Sequence, residues 1–521
     1  MSLRRCAAGA MLVLLAGCAS AGRSDRMAAL ERAGLEGPQL RFLFDDLGGL
    51  SLQTLETNAL PYKAVATALL NAEERRSGRR PPLAELLARY GFFVPERIGN
   101  WASPGEPPAI EQPLGLVSGM VRGAPLPLKV EAVNLGCASC HAGNTWDAEG
   151  RPTRDAWLGL PNTSLNLEAY ARDLFSALRQ ELADPAAFQR DIERSFPGMS
   201  LRERWTMRQI LRRAKGRVAE LDRASGGPSP YSNGGAGRTN GVAALKLQMG
   251  ALSPTELGFT SIPDLGDRAL RSSLLYDGLY APKGEQHFAP QVAGGDGRRL
   301  ASVVAFFTVP TQGVRPEVAE RAIPRVEEIM GWLQEYRPPP FPGRLDATLA
   351  RTGQTIYRER CAGCHGTYDE SLEHPRLLSF PNVAVPQEQM GTDPSRWQAA
   401  DERLAAALRR SAFDRHVSVR PGRGYVAPLL SGLWATAPYL HNGSVPTLWQ
   451  LMNPELRRER FRVGGHRLDY EQMGIAYPDG YVPWSEPELY DTRQPGLSNR
   501  GHEAEFRGLD KRALLEYLKL L

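Results

Sequence analysis

Apolar residues recur at helical spacing over Tyr62 to Leu70 and Pro82 to Tyr90, which predicts two early helices. Proline-rich connections follow near Pro104 to Pro113, and Val130 to Leu135 alternates as an extended strand. Val318 to Tyr336 has the pattern of a long helix. It is followed by Glu335-Tyr336-Arg337-Pro338-Pro339-Pro340-Phe341-Pro342-Gly343, a stiff linker in which proline cannot extend a helix. Beyond it, Gly353, Tyr357 and Cys361 fall on one stripe of a further helix. At the C-terminus, Asp510 to Leu521 carries Leu514, Leu515, Leu518 and Leu521 on one face. The pattern is a twofold repeat in which a terminal amphipathic helix closes each half.

With 521 residues the chain has room for two to four domains, at roughly 150 residues each. Hydrophobic content of 42% and charge of 23% are ordinary for a globular protein. The net charge of +5 is spread among acids, which argues against a nucleic-acid footprint. Arg4 and Arg5 precede an apolar run from Ala7 to Ala16 that ends in Leu15-Ala16-Gly17-Cys18. This has the form of a secretory signal too short to span a bilayer. Its ending is similar to a bacterial lipobox, so Cys18 is expected to carry lipid; an ordinary signal with a chance cysteine is the alternative. Ala19 and Ser20 lack the acidic residue that retains such proteins at the inner membrane. Periplasmic residence, anchored to the outer membrane of a Gram-negative bacterium, is expected.

Of six cysteines, Cys6 and Cys18 belong to the leader. The other four form Cys137-Ala-Ser-Cys140-His141 and Cys361-Ala-Gly-Cys364-His365. C-x-x-C-H is the attachment signature of c-type haem: two thioethers hold the porphyrin, and the histidine ligates the iron. The motifs predict two covalent haem c groups, held by Cys137, Cys140, Cys361 and Cys364 with His141 and His365 as axial ligands. A four-cysteine zinc site is the rival reading, and needs distant pairs to converge. The expected domains are a leader over 1–18, an N-terminal extension over 27–130, and haem modules over 131–336 and 345–521. The expected fold is mainly α: two class I cytochrome c-like modules with long irregular loops and an N-terminal helical extension.

Trp434-Ala435-Thr436-Ala437-Pro438-Tyr439-Leu440-His441-Asn442-Gly443-Ser444-Val445-Pro446 resembles the signature of the bacterial dihaem cytochrome c peroxidase superfamily, above all its rubber-oxygenase (RoxA)-like branch. The likeness is specific in 345–521 and weak in the N-terminal extension. It implies His441 as second axial ligand of the haem at His365, with Met452 the weaker option. Leu274-Leu275-Tyr276-Asp277-Gly278 repeats Tyr439-Leu440-His441-Asn442-Gly443, so Tyr276 stands where the other copy has His441. The rubber oxygenases carry there a tryptophan lying between the haems; Tyr276 departs from it and is either a relay, a ligand or a packed aromatic. After His141 no histidine occurs until His287. The first haem is therefore expected to have an open or weakly ligated side, with Phe306 a pocket residue as the resemblance implies. Three functions stay in play: an oxidoreductase using O₂ or H₂O₂ at the first haem, with an apolar organic substrate among its candidate partners and the second haem as relay; a dihaem peroxidase; and a non-enzymatic electron carrier. A small redox protein is the expected electron partner, and no nucleic acid is expected.

Overall fold

Cys137–His141 is a single helical turn held between two strands, Lys129–Leu135 before it and Ala142–Trp146 after it. The structure is a computed structural model that describes residues 24–521 except 104, 124–127, 226–230, 254–255, 504–505 and 507, and side chains at all of these except 217–225. The expected leader over 1–18, Cys18 included, lies outside the described residues. No helix among the described residues is long and apolar enough to cross a membrane.

The extended reading of Val130 to Leu135 holds. Lys129–Leu135 pairs antiparallel with Leu116–Arg122, whose residues alternate between buried and more accessible, the period of a strand covered on one face. Gly115 (φ +77°) lets this hairpin reach the motif: a Cβ there would sit 1.8 Å from the Ser139 amide nitrogen.

The mainly α expectation, with two class I cytochrome c-like modules, is overturned. Among the described residues helices make up 40% and strands 15%, the strands being divided among eight small sheets. The reason is local. Most strands have only two to four residues, too short to register as alternation, and they bracket the motifs and loops where a class I module would have helix.

The helices predicted near the second motif are present. Ala347–Arg360 is capped by the Asp346 carboxylate, which accepts from the Thr348 and Leu349 amides, and it ends at Cys361. It packs on the C-terminal helix Gly508–Leu518, where Leu514, Leu515 and Leu518 are buried, as is Leu521 just beyond its end. A Cβ at Gly353 would lie 1.9 Å from the Ala513 carbonyl oxygen and 2.9 Å from Tyr517 Cβ. The stripe read from sequence is thus a helix crossing made possible by one missing side chain. Gly353→Val is expected to cost roughly 1–3 kcal/mol or more through overpacking, seen as a lower midpoint in denaturant; an unchanged midpoint would show that the crossing yields freely.

Around the first motif, Pro316–Leu333 replaces the predicted Val318 to Tyr336 helix with nearly the same span. The short helix Pro38–Phe44 packs on it and on the motif turn, with Phe42 edge-on to Trp332 at 5.3 Å. The same core draws in Leu404, Leu408, Phe413 and Val417 from beyond the linker, and Val417–Val419 pairs with Tyr280–Pro282. The linker itself has neither helix nor strand over 335–343, and the Pro339 carbonyl accepts from Trp434 Nε1 at 3.0 Å.

Candidate functional site

Both motifs open onto one cavity of about 1030 Å³, whose lining includes Cys137, Cys140 and His141 as well as Cys361, Cys364 and His365. All four cysteines are free thiols. Among the described residues no three His, Cys, Asp or Glu side chains form a metal-ion cluster, so the pairs do not converge as a zinc site would require.

The two histidines are held alike. His141 Nδ1 lies 3.1 Å from the Pro263 carbonyl oxygen, and His365 Nδ1 lies 3.0 Å from the Pro428 carbonyl oxygen. Burial pushes both imidazoles down to about 4, so each is neutral, donates Nδ1–H to its carbonyl and keeps the Nε2 lone pair free. A backbone acceptor that fixes tautomer and ring orientation is what a metal-binding histidine needs.

Pro263 and Pro428 belong to matching loops, each thirteen residues before Tyr276 or His441. The backbones agree in detail. Leu275 (φ 70°) matches Leu440 (φ 66°), and Gly278 (φ 64°) matches Gly443 (φ 69°). Leu274 bridges to Tyr280 as Tyr439 bridges to Val445. The loops also exchange hydrogen bonds: Val426 N–H donates to the Tyr276 carbonyl and Ser261 N–H to the His441 carbonyl, both at 2.7 Å. Each loop therefore hangs on the strand of the other repeat, and Tyr276 and His441 meet where the halves join. Their rings are 6.4 Å apart, and Tyr276 Oη is 2.8 Å from Ser261 Oγ.

His441, expected opposite His365, is 7% exposed and stacks on Tyr425 with ring centres 4.2 Å apart. The ring that stands near His365 is His502, at 6.1 Å between centres and 67° between planes. Two imidazoles on opposite sides of one metal, each about 2 Å from it, have ring centres roughly 6 Å apart. His502 is therefore a second candidate, beside His441, for the place opposite His365. Its signal in sequence is faint: Asn499-Arg500-Gly501-His502 reads as an ordinary loop, and His502 has the left-handed φ of 51°. Its backbone amide is anchored on the Met390 carbonyl at 2.8 Å. Met452, the weaker option, also lines the cavity.

Other sequence candidates fall elsewhere. Phe306 packs on Phe413 at 4.3 Å in the core, while Val304 and Phe307 line the cavity. Successive helical side chains point about 100° apart, so the cavity takes the neighbours and the core takes Phe306. His287, the first histidine after His141, is buried, with Nδ1 2.8 Å from the Gly278 carbonyl and Nε2 3.1 Å from Ser418 Oγ. Both nitrogens are engaged, so it has none for iron. Asp277 pairs with Arg396 at 3.1 Å and Glu285 with Arg299 at 2.6 Å, so neither is a free acid over a metal.

Apolar walls, paired thiols and oriented imidazoles fit a flat, mostly hydrophobic tetrapyrrole held at its edge. Residues 424–462 match the family described as RoxA-like, cytochrome c-like. That stretch contains Tyr425, Pro428 and His441, and a domain of this kind implies covalently bound haem c. The chain is 27% identical over 339 residues to the uncharacterized protein y4iM of Sinorhizobium fredii, covering 56% of this chain and 71% of that one. It is 30% identical over 252 residues to the uncharacterized protein y4iJ of the same organism, covering 36% of this chain and 41% of that one. Haem binding and electron transfer are the properties this likeness carries.

Proposed function

We propose that the chain is an exported dihaem c-type cytochrome whose two haems differ in their free coordination side, and that it acts as an oxidoreductase on O₂ or H₂O₂. When bound, each haem supplies a one-electron centre, and an iron with a vacant side also takes up dioxygen or peroxide. Cys137 and Cys140 would hold one haem with His141 beneath it. Cys361 and Cys364 would hold the other between His365 and His502.

One observation carries the asymmetry. Among the described residues the cavity wall has four histidines, His141, His365, His441 and His502. His502 stands beside His365, and His441 is stacked on Tyr425 with its backbone fixed to the Ser261 strand. That strand leads into Pro263, which supports His141 from its proximal side. Among the described residues no further histidine lines the cavity to close a side opposite His141, and Val242, Leu245, Val304 and Phe307 are among the apolar residues that line it. Such walls exclude water and favour a small neutral ligand or an apolar substrate.

Tyr276 lies between the halves and lines the cavity. Burial raises its phenol above the usual value, so it stays protonated and is a poor iron ligand, and Ser261 gives its proton an acceptor. We read Tyr276 as the relay between the two centres. Tyr276→Phe, which removes only the hydroxyl, is expected to slow electron transfer between the haems several-fold in stopped-flow oxidation, with haem content intact; an unchanged rate would contradict the relay.

Lipid attachment at Cys18 and residence at the periplasmic face of the outer membrane complete the reading, supported by the lipobox-like leader. Incorporation of labelled palmitate into wild type but not into Cys18→Ala tests it. Turnover of H₂O₂ with a reduced small cytochrome, set against O₂ uptake with an apolar alkene, separates peroxidase from oxygenase chemistry. Neither activity would leave an electron carrier.

A further inference from the structure

The cavity is apolar along most of its length, yet two arginines line it where the halves join. Arg271 is 3% exposed, and its three nitrogens donate to backbone carbonyls: Nε to Ser273 at 3.0 Å, Nη1 to Ala427 at 3.2 Å and Nη2 to Leu275 at 3.2 Å. Arg268 donates Nη2 to the Asp264 carbonyl, and its buried Nε has no partner. The neighbouring carboxylates are engaged elsewhere. Asp264 accepts from Tyr336 Oη at 2.6 Å and from the Gly266 amide at 2.7 Å, and Asp267 accepts from Ser431 Oγ at 2.6 Å. Two further arginines on the wall are different: Asp277 faces Arg396 at 3.1 Å, and Arg360, beside the second motif, lies over the Phe506 ring.

Asp264 and Asp267 bear on Arg268, and Asp277 on Arg271, through longer-range charge alone. A guanidinium out of water with no carboxylate in direct contact is costly, and backbone carbonyls neutralise none of its charge. Two such groups facing one cavity call for an anionic ligand there. Both come from the same repeat: the positions matching Arg268 and Arg271 in the second half are Leu433 and Thr436. This arginine pair therefore exists in one of the two matching loops and not in the other. It belongs beside the first motif, because Arg268 is hydrogen-bonded to the Asp264 carbonyl and the carbonyl of the adjoining Pro263 holds His141 at 3.1 Å.

Resting on the two-haem reading above, we infer that Arg268 and Arg271 bind the carboxylates of the first haem and, being present in one repeat only, raise that haem's reduction potential. The Arg fork matches a carboxylate in geometry. Fixed positive charge in a low-dielectric site favours the reduced iron, which carries one positive charge less.

The test uses full-length holoprotein and spectroelectrochemical titration of Arg268→Gln, Arg271→Gln and Arg271→Lys. Each glutamine variant is expected to shift the midpoint of the first haem downward and to move the second far less. Arg271→Lys keeps the charge but loses the fork, so its midpoint should stay near wild type while the propionate bending bands in resonance Raman shift. Glutamine variants that carry two haems and titrate as wild type would overturn the inference. Should the glutamine variants fail to fold, unchanged Raman bands in Arg271→Lys would overturn it and shifted bands would support it. A wild-type chain with fewer than two haems would instead refute the reading underneath, which haem content and mass report independently of any potential.

Discussion

Cys361→Ser with Cys364→Ser is expected to remove one haem and leave the other, halving haem per chain by pyridine haemochrome and lowering the mass by one haem group. Cys137→Ser with Cys140→Ser should do the same. The expectation follows from geometry: both pairs line one cavity, and each histidine has its own carbonyl support. The two variants should not be equivalent in spectrum. Loss of the second pair leaves the open-sided haem, with high-spin features and ligand binding; loss of the first leaves a closed, low-spin haem. A single variant that loses both haems would show that one attachment depends on the other, and a variant that loses neither would remove thioether attachment from that motif.

The second large effect separates His502 from His441. His502→Ala is expected to turn the second haem from low-spin to high-spin and to let it bind CO when reduced, because the ring 6.1 Å from His365 is gone. His441→Ala should leave that haem six-coordinate, since His441 is stacked on Tyr425 and not set beside His365. What it should change is electron transfer past Tyr276, 6.4 Å away. The reverse pattern, a spin change in His441→Ala and none in His502→Ala, would restore the assignment that the family resemblance implies.

The motifs, the Gly353 helix crossing and the pairing of Tyr276 with His441 were all legible in the chain, because each is written in neighbouring residues. A C-x-x-C-H turn is local, and the matching pentapeptides at Tyr276 and His441 fold to matching backbones with the same positive φ values. What escaped depended on partners distant in sequence. His502 is more than a hundred residues from His365, and only the packing of the loop against Met390 brings it there. Phe306 and Phe307 are adjacent apolar residues in sequence, and only the position of Phe413 decides which of them is core. The small sheets were missed for a related reason. Tyr280–Pro282 and Val417–Val419 are three residues each, too short for a pattern, and they are strands only because they find each other.

The inequivalence of the two haems is tested most directly by CO titration of the dithionite-reduced wild-type protein, read against haem content. One CO bound for every two haems is expected, with the spectral change confined to the haem at His141. Two CO per two haems, or none, would contradict it.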